Sequence, residues 1–291
     1  MIVILAPTAQ LATDTLRLNP PPSLTVEAEY GAFVLEGTKY TAAHHQPIGS
    51  PYVGRHITPY GRPSPCNDQN IPKLEENEVA LISHIDIDTI GGLMRATDEF
   101  ENNGVFWFYA EHIDTNGRHK AKKDHPCWIL YNGILAWIED NKPEIDEKRN
   151  NDVTDFCYKA FDFIKSTLTD GHLATRMGHA YLYLQNKLDD STFVEKLPCG
   201  LVVRRTQGKK VNHLYRDGNS VITYDEKYKS IRISTSDPIP NLSCRRLVQE
   251  WWGDKAGGHN QIAGSVRGNL MSEEDFKEAT EKFVNEITSN L

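Results

Sequence analysis

A short apolar run that ends in a polar cluster places the strongest constraint on how this chain can fold. Residues 79–83 read Val-Ala-Leu-Ile-Ser, and His84, Asp86 and Asp88 follow at alternate positions. A continuous apolar run of this length is typical of a strand buried on both faces of a parallel sheet. In such sheets, ligands bind outside the carboxyl ends of the strands. The pattern therefore predicts an α/β fold with a functional site at this sheet edge.

A second apolar run, residues 105–110, also ends in polar residues, among them His112 and Asp114. We interpret it as the next parallel strand, with a helix opening at residues 91–96 between the two strands. In such a βαβ unit the polar residues after both strands would meet at one sheet edge. His112 or Asp114 would then complete a site begun at residues 84–88, and the alternative is an exposed loop with ordinary polar side chains.

The remainder of the chain predicts a helical connector and a second, smaller α/β domain. Residues 152–188 carry apolar side chains at helical spacing, and Ser272 opens a capped helix near the end of the sequence. Between these helices, three short runs read as strands: residues 201–203, 220–224 and 230–234. We therefore predict a metal-binding domain with its connector over residues 1–190 and a substrate-binding domain over residues 191–291.

The composition is that of a soluble globular protein, with 39% hydrophobic and 25% charged residues in a chain of 291. A formal net charge of −8 disfavours long duplex nucleic acid as a partner, because phosphate contacts need clustered Lys and Arg. The same net charge does not exclude a small phosphorylated ligand that binds in a local basic pocket. Five scattered cysteines, an apolar start that reads as a strand, and no run long enough to span a membrane predict a cytoplasmic protein with reduced thiols. The oligomeric state, a homodimer included, stays open.

His84, Asp86 and Asp88 are the first candidate metal ligands. If the segment is still extended, these alternate side chains project to the same side. One imidazole with two carboxylates suits Mn, Fe or Zn, and an oxygen-rich set favours Mn. A divalent ion there would lower the pKa of a bound water and offset the charge of a phosphoryl group. The alternative is a polar strand end at which Asp88 caps the next helix.

Histidines elsewhere compete for a role at this site. His44 and His45 are adjacent in the sequence, and His125 follows Asp124. Each could supply an imidazole to a metal or to a leaving group, whereas a solvated surface histidine is the alternative for any one of them. We favour His44 and His45, because adjacent histidines are rarer.

Residues 257–264, Gly-Gly-His-Asn-Gln-Ile-Ala-Gly, form the most informative motif of the C-terminal half. Consecutive glycines let backbone N–H groups approach an anion closely, and the histidine that follows can donate a hydrogen bond or a charge to phosphate. A flexible turn would explain the glycines but not the whole stretch. The predicted substrate-binding residues are Gly257, Gly258, His259, Arg232 and Arg267.

Together these stretches resemble the DHH (Asp-His-His) phosphoesterase superfamily with its C-terminal substrate-binding domain. That domain carries a strand ending in Ser-Leu-Arg-Ser, a helix, a Gly-Gly-Gly-His loop and a final helix. Residues 230–236 are similar to the strand and residues 257–264 to the loop, with Ala256 in place of the first glycine. Residues 84–92 are similar to the family's first motif, in which a His and two Asp bind Mn and a Gly follows.

One part of the resemblance is missing, because the family's third motif, Asp-His-His, does not follow the first motif in this sequence. Residues 124–125 match it only in part, and His44 and His45 lie upstream, after Ala43. Asp114 stands where the resemblance would place the Asp of the second motif. Either His44 and His45 fill the place of the third motif, or the site is altered.

The resemblance implies a metal-dependent phosphoesterase that hydrolyses a phosphoester in a small nucleotide or a short oligonucleotide. It implies two Mn ions, or other divalent transition-metal ions, as cofactors. The expected metal ligands are His84, Asp86, Asp88, Asp114 and His112, and the expected catalytic residues are Asp88, His44 and His45. A non-catalytic nucleotide-binding or sensing protein that keeps the phosphate-binding Gly-Gly-His motif of residues 257–264 is one alternative. An accessory module acting on tRNA is another, and for it the sequence offers only the basic residues 204–205 and 209–210.

Overall fold

The chain folds into two compact units, Met1–Leu182 and Tyr183–Leu291, each with its own sheet and its own hydrophobic core. The computed structural model describes residues 1–30, 33–44, 63–208, 215–258, 260–266 and 268–290. Both units combine sheets with helices, so the predicted α/β class is confirmed. No helix within these ranges is both long enough and apolar enough to cross a membrane.

The first unit is built on a five-stranded, mainly parallel sheet. Its strands and the small β3–β4 pair beside it are β1 (Ile2–Leu5), β2 (Pro22–Val26), β3 (Glu29–Tyr30), β4 (Phe33–Val34), β5 (Tyr40–Ala42), β6 (Val79–Ile82) and β7 (Asn151–Asp152). The sheet order is β5-β2-β6-β1-β7, and only β7 is antiparallel to its neighbour. Every residue of β6 is buried, as its apolar run predicts.

Helices complete the first unit and supply most of its core. They are α1 (Ala9–Asp14), α2 (Ile87–Arg95), α3 (Gly104–Asn116), α4 (Cys127–Asn141), α5 (Thr154–Thr169) and α6 (His172–Thr192). The last of them continues into the second unit. A short 3-10 turn, Pro65–Asn67, packs against α2 and α3.

The strand predicted at residues 105–110 is wrong, because this segment lies inside helix α3. Asn103 caps the helix by accepting the N–H of Phe106 at 3.1 Å. Buried side chains then recur at helical spacing, at Phe106, Ala110 and Ile113, while Phe108 is exposed. The parallel neighbours of β6 are β1 and β2, both earlier in the sequence.

The helix predicted to open at residue 91 begins four residues earlier. Asp86, not Asp88, is its cap and accepts the N–H of Thr89 at 2.8 Å. Residues 84, 86 and 88 therefore do not share one extended face, since β6 has already ended at Ile82. Gly91 and Gly92 lie within α2 and not in the turn that leads to it.

The second unit has a six-stranded sheet in the order β12-β13-β11-β10-β9-β8. Its elements are β8 (Phe193–Lys196), β9 (Leu201–Thr206), β10 (Ser220–Asp225), β11 (Ser230–Thr235), α7 (Cys244–Trp252), β12 (Gly257–Gly258), β13 (Ile262–Gly264) and α8 (Glu273–Ser289). The three predicted strands of this half are confirmed. Ser272 caps α8 through a capping box with Asp275, as predicted for a helix start. All five cysteines of the chain are free thiols.

Candidate metal centre

Three neighbouring parallel strands deliver polar side chains to one edge of the first sheet. Glu27 comes directly after β2, His44 lies two residues after β5, and His84 lies two residues after β6. Because β2 is paired in parallel with both β5 and β6, the carboxyl ends of all three strands lie side by side. This is the edge at which open α/β sheets bind their ligands.

Four residues form an inner cluster at this edge: Glu27, His44, Asp88 and Asp114. One ligand atom from each lies within 4.8 Å of the others. The Nε2 atom of His44 is 2.8 Å from Asp114 Oδ2, 2.9 Å from Glu27 Oε1 and 3.7 Å from Asp88 Oδ2. Glu27, His44 and Asp88 are buried, and Asp114 is half-buried.

Glu27, His84 and Asp86 form an outer cluster that meets the same distance limit. His84 Nε2 is 3.1 Å from Asp86 Oδ2 and 3.3 Å from Glu27 Oε2, and the His84 side chain is 48% exposed. Glu27 therefore belongs to both clusters and turns one carboxylate oxygen to each. Thr89 donates its hydroxyl to Glu27 Oε2 at 2.8 Å, which holds the shared carboxylate in this orientation.

The backbone at Glu27 is strained. Its φ is +48°, in the left-handed region that non-glycine residues seldom adopt. Such conformations cost about 1–3 kcal/mol and concentrate at functional sites. Glu27 adopts this conformation where the chain leaves β2. Its buried carboxylate thereby lies between the two clusters.

Burial and crowded carboxylates determine which cluster groups carry protons. Burial disfavours ionised Asp88, and the charges of Glu27 and Asp114 add to this, so the pKa of Asp88 lies well above its usual range. Burial also opposes charge on His44, but hydrogen bonds to Asp114 and Glu27 prevail and raise its pKa to about 11. Hydrogen bonds from His44 and His84 likewise overcome burial at Glu27 and lower its pKa. A metal ion bound here must displace protons from these groups.

The inner cluster fits a divalent cation. Cys66 donates its backbone N–H to Asp88 Oδ1 at 2.9 Å, whereas Asp88 Oδ2 is buried and has no hydrogen-bond partner among the described residues. A buried carboxylate oxygen left in this state is costly unless something compensates it. Three carboxylates and one imidazole form an oxygen-rich ligand set of the kind that suits Mn.

Five of the predicted site residues meet at this edge: His44, His84, Asp86, Asp88 and Asp114. His112 lies outside both clusters, contrary to its predicted role as a ligand; it is exposed on α3 and contacts the Lys120 carbonyl at 3.4 Å. His125 stacks on the ring of Tyr109 with 4.6 Å between centroids. His45 lies outside the described residues. Asp114 reaches the cluster from a helix, not from the predicted strand.

Glu27 is the residue that the sequence reasoning missed. Its signal is the same as that of residues 79–84, since the run Leu-Thr-Val over residues 24–26 is followed at once by a carboxylate. The run is only three residues long, and the prolines before it read as an interruption. The carboxyl end of β2, which carries Glu27, is therefore recognised only in the folded chain.

The glycine motif of the second unit forms the edge strand β12 of its sheet and the neighbouring strand β13. Gly258 has a φ of +143°, and a Cβ there would lie 2.4 Å from the Ile262 carbonyl oxygen, so this position requires glycine. Arg232, Gly264 and Gly257 stand opposite one another on three adjacent strands, so they share a sheet face. Arg232 is exposed, and no atom would obstruct a Cβ at Gly257. His259 and Arg267 lie outside the described residues.

The chain matches no protein-family model and no curated protein. Among solved structures it is similar to the pGpG-specific phosphodiesterase PggH from Vibrio cholerae, with 11% identity and a TM-score of 0.44 over 81% of this chain and 90% of that chain. It is also similar to an exopolyphosphatase-related protein from Bacteroides fragilis, with 12% identity and a TM-score of 0.37 over 88% of this chain and 67% of that chain. At these values neither similarity assigns a family or an activity to this chain.

Proposed function

We propose that this chain is a metal-dependent phosphoesterase of the DHH type, acting on a small nucleotide or a short oligonucleotide. The observation that carries the proposal is the shared carboxylate of Glu27. Its Oε1 atom faces His44 and its Oε2 atom faces His84, so one side chain joins two candidate ligand sets. A carboxylate placed in this way is suited to bridge two metal ions, which is the arrangement of many phosphoryl-transfer sites.

The ligand assignment follows from the two clusters. His44, Asp88 and Asp114 would hold one ion, His84 and Asp86 would hold the other, and Glu27 would contact both. Manganese is the proposed metal because carboxylates dominate the set. Two bound ions would supply a hydroxide nucleophile and would stabilise the charge on the phosphoryl oxygens.

The chain's own groups prepare this centre in two ways. Hydrogen bonds from Thr89 and from the Cys66 backbone fix the Glu27 and Asp88 carboxylates, so little reorganisation is needed when ligands bind. The exposed His84 and half-buried Asp86 side chains leave the outer cluster open to substrate, whereas the side chains of the inner cluster are buried or half-buried.

The substrate class rests on the resemblance of the glycine motif in the second unit. The Arg232 guanidinium and the open face at Gly257 share one sheet face, which supports a grip on a terminal phosphate. By the same resemblance, Gly258, His259 and Arg267 belong to this grip. Long duplex nucleic acid stays disfavoured by the net charge of −8.

The test is hydrolysis of a panel of mononucleotides and short oligonucleotides by the purified protein with Mn. Asp88→Ala should abolish cleavage and reduce bound metal, because it removes a ligand whose second oxygen has no other described partner. Asp98→Ala is a matched control, since Asp98 is fully exposed and 3.6 Å from the Lys73 ammonium. Full activity in the Asp88 variant would overturn the assignment.

A non-catalytic nucleotide-binding or sensing protein is the second candidate. It is favoured by one observation, the lack of an Asp-His-His sequence, with Ala43 standing before the histidine pair. Metal analysis of the purified protein separates the two: about two ions per chain supports the phosphoesterase, and nucleotide binding without bound metal supports the sensor.

A further inference from the structure

The 3-10 turn beside the inner cluster, residues 64–67, is held by a carboxylate that is not itself a candidate ligand. We call these residues the anchoring turn. Glu111 Oε1 accepts the backbone N–H of Ser64 at 3.0 Å, and Glu111 Oε2 accepts the side-chain amide of Asn67 at 2.7 Å. Both oxygens of Glu111 are therefore engaged at the two ends of the same turn.

The anchoring turn also fixes the side chain of Asp88. The N–H of Cys66, at the middle of the turn, donates to Asp88 Oδ1 at 2.9 Å. With one oxygen fixed in this way, the Asp88 carboxylate cannot rotate freely, and its Oδ2 atom lies 3.7 Å from His44 Nε2. The direction of that oxygen therefore depends on where the turn sits.

Close packing fixes the turn on its other side. A Cβ at Gly91 would lie 2.5 Å from the Cys66 Cβ, and a Cβ at Gly92 would lie 2.6 Å from the Pro65 Cβ. Only glycine lets the turn approach α2 this closely. Arg95 also donates from Nε to the Cys66 carbonyl oxygen. Glu111 on α3 and these contacts from α2 thus confine the turn between two helices.

We propose that Glu111 is a positioning residue for the metal centre, which holds the anchoring turn so that Asp88 presents Oδ2 to the inner cluster. The inference rests on the proposed function, because it concerns the same ligands. Glu111 and Asp114 lie on the same helix, three residues apart. Helix α3 therefore contributes one ligand directly and controls a second one through the turn.

The experiment measures the affinity for Mn²⁺ of the full chain by the EPR signal of free Mn²⁺, at a temperature well below unfolding. Glu111→Ala should weaken binding by about 10- to 100-fold, the usual effect of removing a group that orients a metal ligand. Glu111→Gln should weaken it less, because its amide oxygen still accepts the N–H of Ser64. The bound Mn²⁺ spectrum should broaden or shift in the Ala variant and recover in part in the Gln variant.

Glu78→Gln is the matched control. Glu78 also accepts hydrogen bonds with both carboxylate oxygens, from the Ser23 hydroxyl at 2.9 Å and from the N–H of Glu75 at 2.8 Å. It precedes β6, at the opposite end of the strand from the clusters. We expect it to lower thermal stability and to leave Mn²⁺ affinity unchanged within about a factor of two, as for distant, independent sites.

The outcomes separate the two proposals. If wild-type protein binds no Mn²⁺, the proposed function and this inference both fail. If wild type binds Mn²⁺ and Glu111→Ala binds it equally well, only the positioning role fails, and Glu111 is a structural clamp like Glu78. Should Glu111→Ala not fold, Asn67→Ala decides, because it removes one of the two hydrogen bonds; unchanged Mn²⁺ affinity there overturns the inference.

Discussion

The acidic residues at the two ends of the first sheet have different partners. At the amino end of β6, Glu78 is paired with the Lys39 ammonium at 2.6 Å and accepts a hydroxyl and a backbone N–H. At the carboxyl end, Glu27, Asp88 and Asp114 crowd together, and the ion pairs that the described residues make with them come from His44 and His84.

This difference separates an acidic residue that we expect to stabilise the fold from acidic residues that we propose as metal ligands. Glu78 forms an ion pair with Lys39, and an ammonium group does not compete with a carboxylate for a metal ion, so we expect this pair to stabilise the fold. A histidine can release its proton and donate the same nitrogen to a metal. A crowded group of carboxylates and histidines is therefore suited to bind a cation once its protons are displaced. The following variants test this contrast.

The largest effect is expected from Glu27→Gln. The change removes the charge of the only carboxylate that belongs to both clusters, so bound metal should fall from about two ions per chain toward none. The affinity for Mn²⁺ should drop by more than about 100-fold, beyond the usual effect of groups that merely orient a ligand. Elemental analysis and calorimetric titration measure the two quantities.

His112→Ala is the control for this variant, since His112 is exposed on α3 and contacts Lys120 and Asn116 instead of a cluster. Its metal content and affinity should match those of the wild type. Retention of two tightly bound ions by Glu27→Gln would contradict the shared role of this carboxylate, and loss of metal in the His112 variant would show that the clusters omit a ligand.

A smaller effect is expected from Gly92→Ala, which tests the packing under the anchoring turn. The new methyl group would lie 2.6 Å from Pro65 and 2.9 Å from Val26, so either the turn or β2 must shift. Overpacking of this kind costs about 1–3 kcal/mol of unfolding free energy. For a unit of this size the midpoint of thermal unfolding should fall by about 2–4 °C per kcal/mol.

Gly104→Ala is the matched substitution, because no atom lies within 4 Å of a Cβ at that position in α3. It should leave stability unchanged or slightly raised, since alanine favours a helix. If the two variants unfold at the same urea concentration, the anchoring turn does not pack closely against Gly92.

The sequence was sufficient to locate the sheet edge that carries the two clusters but not to predict all of their residues. The run at residues 79–82 is local, and four consecutive buried positions leave few alternatives to a central strand. The run at residues 105–110 is equally apolar, yet it is less than two turns of a longer helix whose period appears only when Ile113 is included. Short apolar runs do not distinguish the two structures by themselves.

The composition of the inner cluster is a tertiary property. Glu27 and His44 are 17 residues apart in the chain, and Thr89 lies 62 residues from the glutamate that it hydrogen-bonds. His44 was recognisable because paired histidines are uncommon, and Asp88 because it stands in a polar pattern. The local pattern at Glu27, a three-residue run that ends in a carboxylate, is too short to mark it, and its place in both clusters depends on a strained turn and on the parallel pairing of β2 with two other strands.

The smallest effect concerns the opposite end of the sheet and its dependence on pH. Contact with the Lys39 ammonium, aided by the N–H of Glu75, lowers the pKa of Glu78 from 4.5 to about 2. Because the folded pKa is the lower one, the unfolded chain binds more protons between these values. The contribution of Glu78 to stability is therefore complete above pH 4.5 and is lost as the pH falls toward about 2.

Comparison of the wild type with Glu78→Gln isolates this contribution, because all other carboxyl groups titrate in both proteins. The wild type should have the higher unfolding midpoint at about pH 6, and its advantage should shrink by about pH 3, where the unfolded Glu78 is protonated. Thermal unfolding followed by circular dichroism at both pH values measures the difference. An advantage that stays constant down to pH 3 would mean that the Lys39 contact does not lower the pKa of Glu78, and the contrast between the two sheet ends would then rest on the clusters alone.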